Sequence, residues 1–299
     1  MKIRHLANYA FLLMVLSACT TVFDKEPLTP SSVLEASSTD DWRTPDQENL
    51  LYLQLETGEV IFELATDFAP RHIKNLRKLT TDKYFDDLAI IRSQDNYVAQ
   101  WGDPNSGTDK AKSQGDAKAE VEPEFFRDRK GLKFTSIISR DAYADTVGFS
   151  SGFAMGADDS RAWLTHCYGA LGVGRGMAAN SGNAAELYVV TGHSPRHLDR
   201  NVTLIGRALS GMELLSSLPR GTGTLGFYET PEEAVTIKAI RLGSELADID
   251  QSKLEILRTD TETFNKFVQS RTTRLNEWFL DSTGKIEVCN VGIPVRKKS

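Results

Sequence analysis

Four places in this chain of 299 residues carry side chains that could do chemistry. His166 precedes Cys167, a pairing in which an imidazole can activate a thiol. The string Gly172-Val173-Gly174-Arg175-Gly176 has the glycine spacing of a phosphate-cradling turn, and His193 and His197 are metal-ligand types. Their neighbours do not complete these three. No clear helix of a βαβ unit follows the glycines, which argues against nucleotide binding. No cysteine or carboxylate cluster accompanies the two histidines, so they read as solvated loop residues and no metal is expected. Cys167 is a disulfide candidate rather than a nucleophile. The fourth set is Arg92, Tyr97 and Gln100 in the run AIIRSQDNYVAQWGD (Ala89 to Asp103). It contains no nucleophile, proton relay or cofactor handle, only a charged hydrogen-bond donor beside an aromatic ring and an amide.

Taken with Tyr168 to Gly206 (YGALGVGRGMAANSGNAAELYVVTGHSPRHLDRNVTLIG), that run resembles the core of a cyclophilin. The family pattern FHRxIxxFxxQGGD is followed by SMANxGPxTNGSQFFIxT and then LDGxxxVFG. The resemblance implies prolyl cis/trans isomerisation, with Arg92 as the electrophilic donor. Amide resonance sets the rotation barrier at about 18–20 kcal/mol. A donor aimed at the prolyl nitrogen favours the twisted state in which the nitrogen lone pair has left conjugation, so the transition state is bound better than the ground state. No cofactor is implied.

The resemblance assigns the remaining groove positions one by one. Tyr97 stands where the family has a pocket Phe, Val98 where it usually has Met, and Gln100 where its Gln holds the substrate backbone and orients the arginine. Trp101 replaces the first glycine of QGGD, which predicts a different backbone path after the strand. Gly176 and Met177 occupy the family's Ala-Asn pair, so Met177 offers only its main chain to substrate. In NAAELYVVT (Asn183 to Thr191), Glu186 replaces Gln, and Tyr188 replaces a Phe and should face the proline with its hydroxyl at the pocket rim, where it needs a partner or solvent. His197 falls near the usual Trp or Phe, which implies weak cyclosporin recognition, and Val202 takes the place of a groove His.

The elements that position these residues follow from patterning. LYLQLETGEVIFEL alternates and turns at Gly58, giving a hairpin. Asp67-Phe68-Ala69-Pro70 leads into a helix with Ile73, Leu76 and Leu79 on one face, and Pro70 suits its first turn. APRHIKNLRKL resembles the family's APxxxxNFxxL, with Asn75 retained. Residues 104–120 read as an exposed loop. Residues 127–166 are an insertion, in which FTSIIS could add a strand and VGFSSGFAMGADDSRAWL forms a Gly-rich ordered loop that buries Phe149, Phe153 and Trp163. A helix over 211–218 and a strand over 235–242 would close the barrel. The expected fold is mostly β: a closed eight-stranded antiparallel barrel of the cyclophilin type, capped by helices, with a helical carboxy-terminal appendage. From Ser244 onward, Leu254, Leu257, Phe264, Phe267 and Val268 recur at helical intervals, broken by Thr259-Asp260-Thr261, which would cap a second helix.

The amino terminus carries a different message. Lys2 and Arg4 precede a short apolar run, Ala10 to Leu16, too short for a permanent span of roughly 30 Å of hydrocarbon. Leu16-Ser17-Ala18-Cys19 resembles a bacterial lipobox, which implies cleavage after residue 18, acylation of Cys19 and stable anchoring by two or three chains. Thr20 in place of Asp favours the outer membrane. Residues 19–48, rich in Ser, Thr, Asp and Pro, read as a tether. The domains are thus 1–18 signal peptide, 19–48 tether, 49–243 isomerase domain and 244–299 helical extension. After lipidation two thiols remain, and an even pair in an exported protein is a disulfide candidate; Cys167 and Cys289 are either bridged or two buried thiols. The formal net charge of −6 offers nothing to draw a nucleic-acid backbone. The expected protein is a lipid-anchored, periplasm-facing isomerase acting on proline-containing exported polypeptides. A catalytically weak proline-peptide-binding or chaperone module is the competing expectation, since Met177, Glu186 and His197 depart from the family pattern.

Overall fold

The computed structural model describes residues 28–298. At its centre eight strands form a closed barrel: β1 (Leu50–Leu55), β2 (Gly58–Leu64), β3 (Ala89–Ser93), β4 (Val98–Gly102), β5 (Ala170–Val173), β6 (Leu187–Val190), β7 (Leu204–Ser210) and β8 (Val235–Leu242). All neighbours are antiparallel, in the order β5-β6-β4-β3-β8-β1-β2-β7, with β7 pairing back onto β5. This is the expected fold class, and closure removes the edges that would otherwise invite pairing with other chains. Among the described residues there are four α-helices: α2 (Pro70–Thr81) and α3 (Met212–Ser216) lie against the barrel, while α1 (Pro30–Glu35) and α4 (Glu262–Thr273) pack on each other.

Alternation along the strands divides inside from outside. Leu51, Leu53 and Leu55 of β1, Val60, Phe62 and Leu64 of β2, Ala99 and Trp101 of β4, and Leu187 and Val189 of β6 point into the barrel core. Trp101, fully buried, fills the centre 5.9 Å from the Phe62 ring. β4 runs through Trp101 to Gly102, which pairs with Ala89, and the barrel interior takes up the indole. Helix α2 closes one end with Ile73, Leu76 and Leu79, and its exposed N-terminal amides are capped from outside by Glu124, which accepts from the Arg71 and His72 backbone N–H groups.

Residues 127–166 form a sheet rather than a loop. Strands Thr146–Ser150, Phe153–Ala157 and Arg161–Leu164 make a meander, flanked by Thr135–Ser136 on one side and Arg127–Asp128 on the other. Thr135–Ser136 is the strand anticipated within FTSIIS. Phe149, Phe153 and Trp163 are buried, as expected. The meander was obscured because small residues break its alternation, and they are needed there: a Cβ on Gly148 would lie 2.2 Å from the Thr135 carbonyl oxygen.

The two ends of the described segment meet. Residues expected to form a tether fold from Leu28 onward: Thr29 caps α1, and Trp42–Arg43 forms a strand paired with Leu257 and Ile256. The Leu254–Leu257 strand also pairs with Val295–Lys297. The carboxy-terminal part therefore holds one α-helix, α4, capped by Thr261 as its sequence suggested, where two were expected. The first expected helix is the strand Leu254–Leu257, whose short apolar run fits either period. Past α4, Leu275, Trp278 and Leu280 are exposed. Val33, Trp42, Val147, Phe149, Leu257, Phe264, Phe267 and Val288 pack into one core. The amino-terminal segment, the insertion and the carboxy-terminal extension thus bury each other, and no one of them shows in its own composition what the others supply. Cys167 and Cys289 are joined by a disulfide beside this core, with a Cα–Cα distance of 5.0 Å. The signal segment and Cys19 lie outside the described residues.

Candidate active site

The groove lies on the outer face of the barrel, where a register feature aims its arginine. Ile90 pairs with Trp101 and Arg92 pairs with Gln100, so two residues of β3, Ile91 and Arg92, stand opposite one of β4. Without this bulge Arg92 would share the face of Ile90 and point into the barrel; with it, Arg92 points outward. The row continues across the sheet, with Gln100 opposite Tyr188 on β6 and Tyr188 opposite Gly172 on β5. Glycine is required at 172 because the Tyr188 ring lies over it: a Cβ there would sit 2.3 Å from the ring's Cζ. Arg92, Tyr97, Val98, Gln100, Tyr188 and Val202 line one cavity of about 300 Å³, joined by Val173, Gly174, Arg175 and Leu198.

The Arg92 guanidinium is held on every side. Its Nε donates to the Leu225 carbonyl at 2.8 Å, Nη1 donates to Gln100 Oε1 at 2.9 Å, and Nη2 donates to Gln94 Oε1. Two rings flank it, with Cζ 5.5 Å from the centroid of Tyr97 and 5.1 Å from that of Phe227. A guanidinium has five N–H donors; three are committed here, which leaves one on Nη1 and one on Nη2. Burial lowers the Arg92 pKa, while Tyr97 and the negative Glu186 oppose that shift. Gln100 is itself fixed, since its Nε2 donates to Glu186 Oε1. Burial raises the Glu186 pKa against the pull of that bond and of Arg92.

Five of the expected groove residues, Arg92, Tyr97, Val98, Gln100 and Tyr188, come together, and two do not. Met177 is 99% exposed and lies off the groove, whose wall at that point is Gly174 and Arg175. His197 is exposed on a 3-10 turn (Arg196–Leu198), and it is Leu198 that lines the groove. The added residue in GHSPRH shifts the register there by one. The Tyr188 hydroxyl is not at the rim either: it turns inward to His166 Nε2 at 2.8 Å, which leaves the apolar ring for the groove. Sequence reading missed Gln94, Leu225 and Phe227. The one signal for the last pair is an aromatic inside the glycine-rich stretch RGTGTLGFY, with no periodic partner to pack on. Among the described residues no group of three or more His, Cys, Asp or Glu side chains is placed to hold a metal ion.

A closed antiparallel barrel bearing on one outer face a fixed arginine beside an apolar, ring-lined cavity is the cyclophilin architecture. The family model for cyclophilin type peptidyl-prolyl cis-trans isomerase/CLD matches residues 50–242, and this chain belongs to that family. A probable peptidyl-prolyl cis-trans isomerase of Brucella suis is 25% identical over 197 residues, covering 65% of this chain and 85% of that protein. A protein of the same description from Brucella abortus is 24% identical over 197 residues, with the same coverage. Among solved structures, the cyclophilin AquaCyp293 from Hirschia baltica matches with a TM-score of 0.67 and 24% identity, over 91% of this chain and 98% of that one. That match covers a larger share of the chain than the family segment does.

Proposed function

We propose that this protein accelerates cis/trans exchange of X-Pro bonds in exported polypeptides, from a lipid anchor on the periplasmic side of the cell envelope. The observation that carries the catalytic part is the Arg92 cage. Three of five donors are spent on fixed acceptors, two aromatic rings flank the guanidinium, and two N–H groups remain on a side chain that lines a cavity shared with Tyr97, Val98, Tyr188, Leu198 and Val202. A prolyl ring seated there presents its nitrogen to a donor that needs no reorganisation as the bond twists, and such preorganised donors act most strongly at the developing transition state. No covalent step or proton transfer is needed.

The envelope location rests on the lipobox-like Leu16-Ser17-Ala18-Cys19 and on the bridged Cys167–Cys289 pair, since disulfides persist in oxidising compartments. The described residues begin at Leu28, nine residues after Cys19, so the chain between the two can span at most about 32 Å. Such an anchor would keep the groove close to the membrane and give it access to chains emerging from export. A protease-coupled assay with a proline-containing peptide tests the activity, and binding without turnover would favour the chaperone-like alternative. Membrane fractionation of Cys19→Ser tests the anchor: the variant is expected in the soluble fraction, and continued membrane association would contradict it.

A further inference from the structure

We infer that His166 is a positioning residue of the proline pocket, holding the Tyr188 ring by a hydrogen bond to its hydroxyl and tying that ring, through Asp199 and Arg196, to the insertion and the carboxy-terminal extension. The inference rests on the isomerase reading of the groove and assigns a role to a residue that does not itself line it.

The chain of contacts is buried and complete. His166 Nε2 meets the Tyr188 hydroxyl at 2.8 Å, and His166 Nδ1 and backbone N–H reach Asp199 Oδ1 at 2.8 and 3.0 Å. Arg196 Nε donates to Asp199 Oδ2 at 2.6 Å, while its Nη1 and Nη2 donate to the two oxygens of Asp141 at 2.8 and 3.0 Å. Nη1 also lies 3.4 Å from Glu287 in the extension. His166 has no exposed surface, and its ring stacks nearly parallel to that of Tyr188, at an interplanar angle of 8°.

The partners fix the proton positions. A carboxylate only accepts, so Nδ1 of His166 carries the proton toward Asp199. Burial lowers the pKa of the imidazole and keeps it neutral, so Nε2 accepts the Tyr188 O–H. The hydroxyl is thereby used up away from the groove, and the pocket presents the ring face alone. A phenylalanine would fill the same space without a buried His, Asp and Arg behind it, and buried ionic groups are poor devices for stability. What this network adds is a fixed position for the ring, with its far end secured in parts of the chain that lie outside the barrel.

Two substitutions separate the two ends of the imidazole. In His166→Asn the amide can still donate to Asp199 but does not reach Tyr188, whereas in His166→Gln it reaches Tyr188 but not Asp199. Full-length mature protein would be assayed for turnover of a proline peptide and, by NMR titration, for affinity toward the same peptide. His166→Asn is expected to lose about tenfold in kcat/KM, mostly through KM, as misplacement of a substrate-positioning group does. His166→Gln should recover most of that loss, and Tyr188→Phe/His166→Asn should lose no more than His166→Asn alone, because the two residues act as one unit. Wild-type-like kcat/KM and affinity per folded molecule in both His166→Asn and Tyr188→Phe, or losses that multiply in the double variant, would overturn the role. If the wild type binds the peptide without turning it over, the isomerase reading fails while affinity still judges His166. Ring 15N shifts decide independently of any ligand: a protonated Nδ1 and an accepting Nε2 are expected, and the opposite tautomer would sink the inference.

Discussion

Glu186 and Arg92 hold Gln100 between them by opposite ends of its amide. The Gln100 amide nitrogen donates to Glu186, which leaves its oxygen as the acceptor for Arg92 Nη1 at 2.9 Å. Arg92 can only donate and a carboxylate can only accept, so the two together admit a single orientation of the Gln100 amide. The substitution that looked in sequence like a departure from the family pattern acts in the structure as the orienting group for its arginine.

Turnover should therefore have an acid limb set by Glu186. Burial raises the Glu186 pKa from that of an ordinary glutamate, so the limb should lie higher than an exposed glutamate would place it and should disappear or shift in Glu186→Gln. The stability effect has the opposite sign. A carboxyl whose folded pKa is raised favours folding in its protonated form, below the unfolded pKa, and that contribution is lost as pH rises through the folded pKa. Glu186→Gln is then expected to be at least as stable as the wild type at neutral pH while being slower. A pH–rate profile and a thermal melt of both proteins check the two halves.

The amino-terminal segment should behave as part of the folded protein. Trp42 is buried in the core shared with Phe264 and Val288, its Nε1 donates to Ser37 Oγ at 2.9 Å, and Arg296 lies 3.9 Å over its ring. Trp42→Ala is expected to cost about 3–5 kcal/mol by denaturant unfolding, within the range for burying and then deleting a large aromatic. Hydrogen exchange should show the strand Trp42–Arg43 and its partner Ile256–Leu257 losing protection together. Fast exchange of both in the wild type would restore the tether reading.

The disulfide closes a loop with a sequence separation of 122 residues. The chain-entropy model gives about 5 kcal/mol for a loop of that size, as an upper value. Mass spectrometry of the unreduced protein should find the Cys167 and Cys289 peptides linked, and a reductant should lower Tm. Two freely alkylated thiols under oxidising conditions would rule the bridge out in solution.

The barrel was legible in the sequence because its signals are local: the alternation of LYLQLETGEVIFEL, the Ala-Pro helix start at α2, and the fixed spacing of Arg92, Tyr97 and Gln100. The second core was not. Trp42 pairs with Leu257, and Val33 and Phe264 meet in the same core, so each short element depends on a partner more than two hundred residues away and carries no sustained period of its own. The same holds within the site. Leu225 and Phe227 reach Arg92 from a glycine-rich loop whose position only the closed barrel defines, and the inward turn of the Tyr188 hydroxyl depends on a histidine from the strand-to-strand connection before β5. His197 was misplaced because motif alignment cannot resolve a one-residue shift in a turn, and Met177 because the wall there is formed two and three residues earlier, by Arg175 and Gly174.

In the protease-coupled proline-peptide assay, Arg92→Ala should retain the wild-type circular dichroism spectrum, since the side chain faces the groove and supports little of the core, and should lose roughly 10²-fold or more in turnover, the cost of one preorganised transition-state donor. Unchanged turnover in a folded Arg92→Ala protein would contradict the central claim.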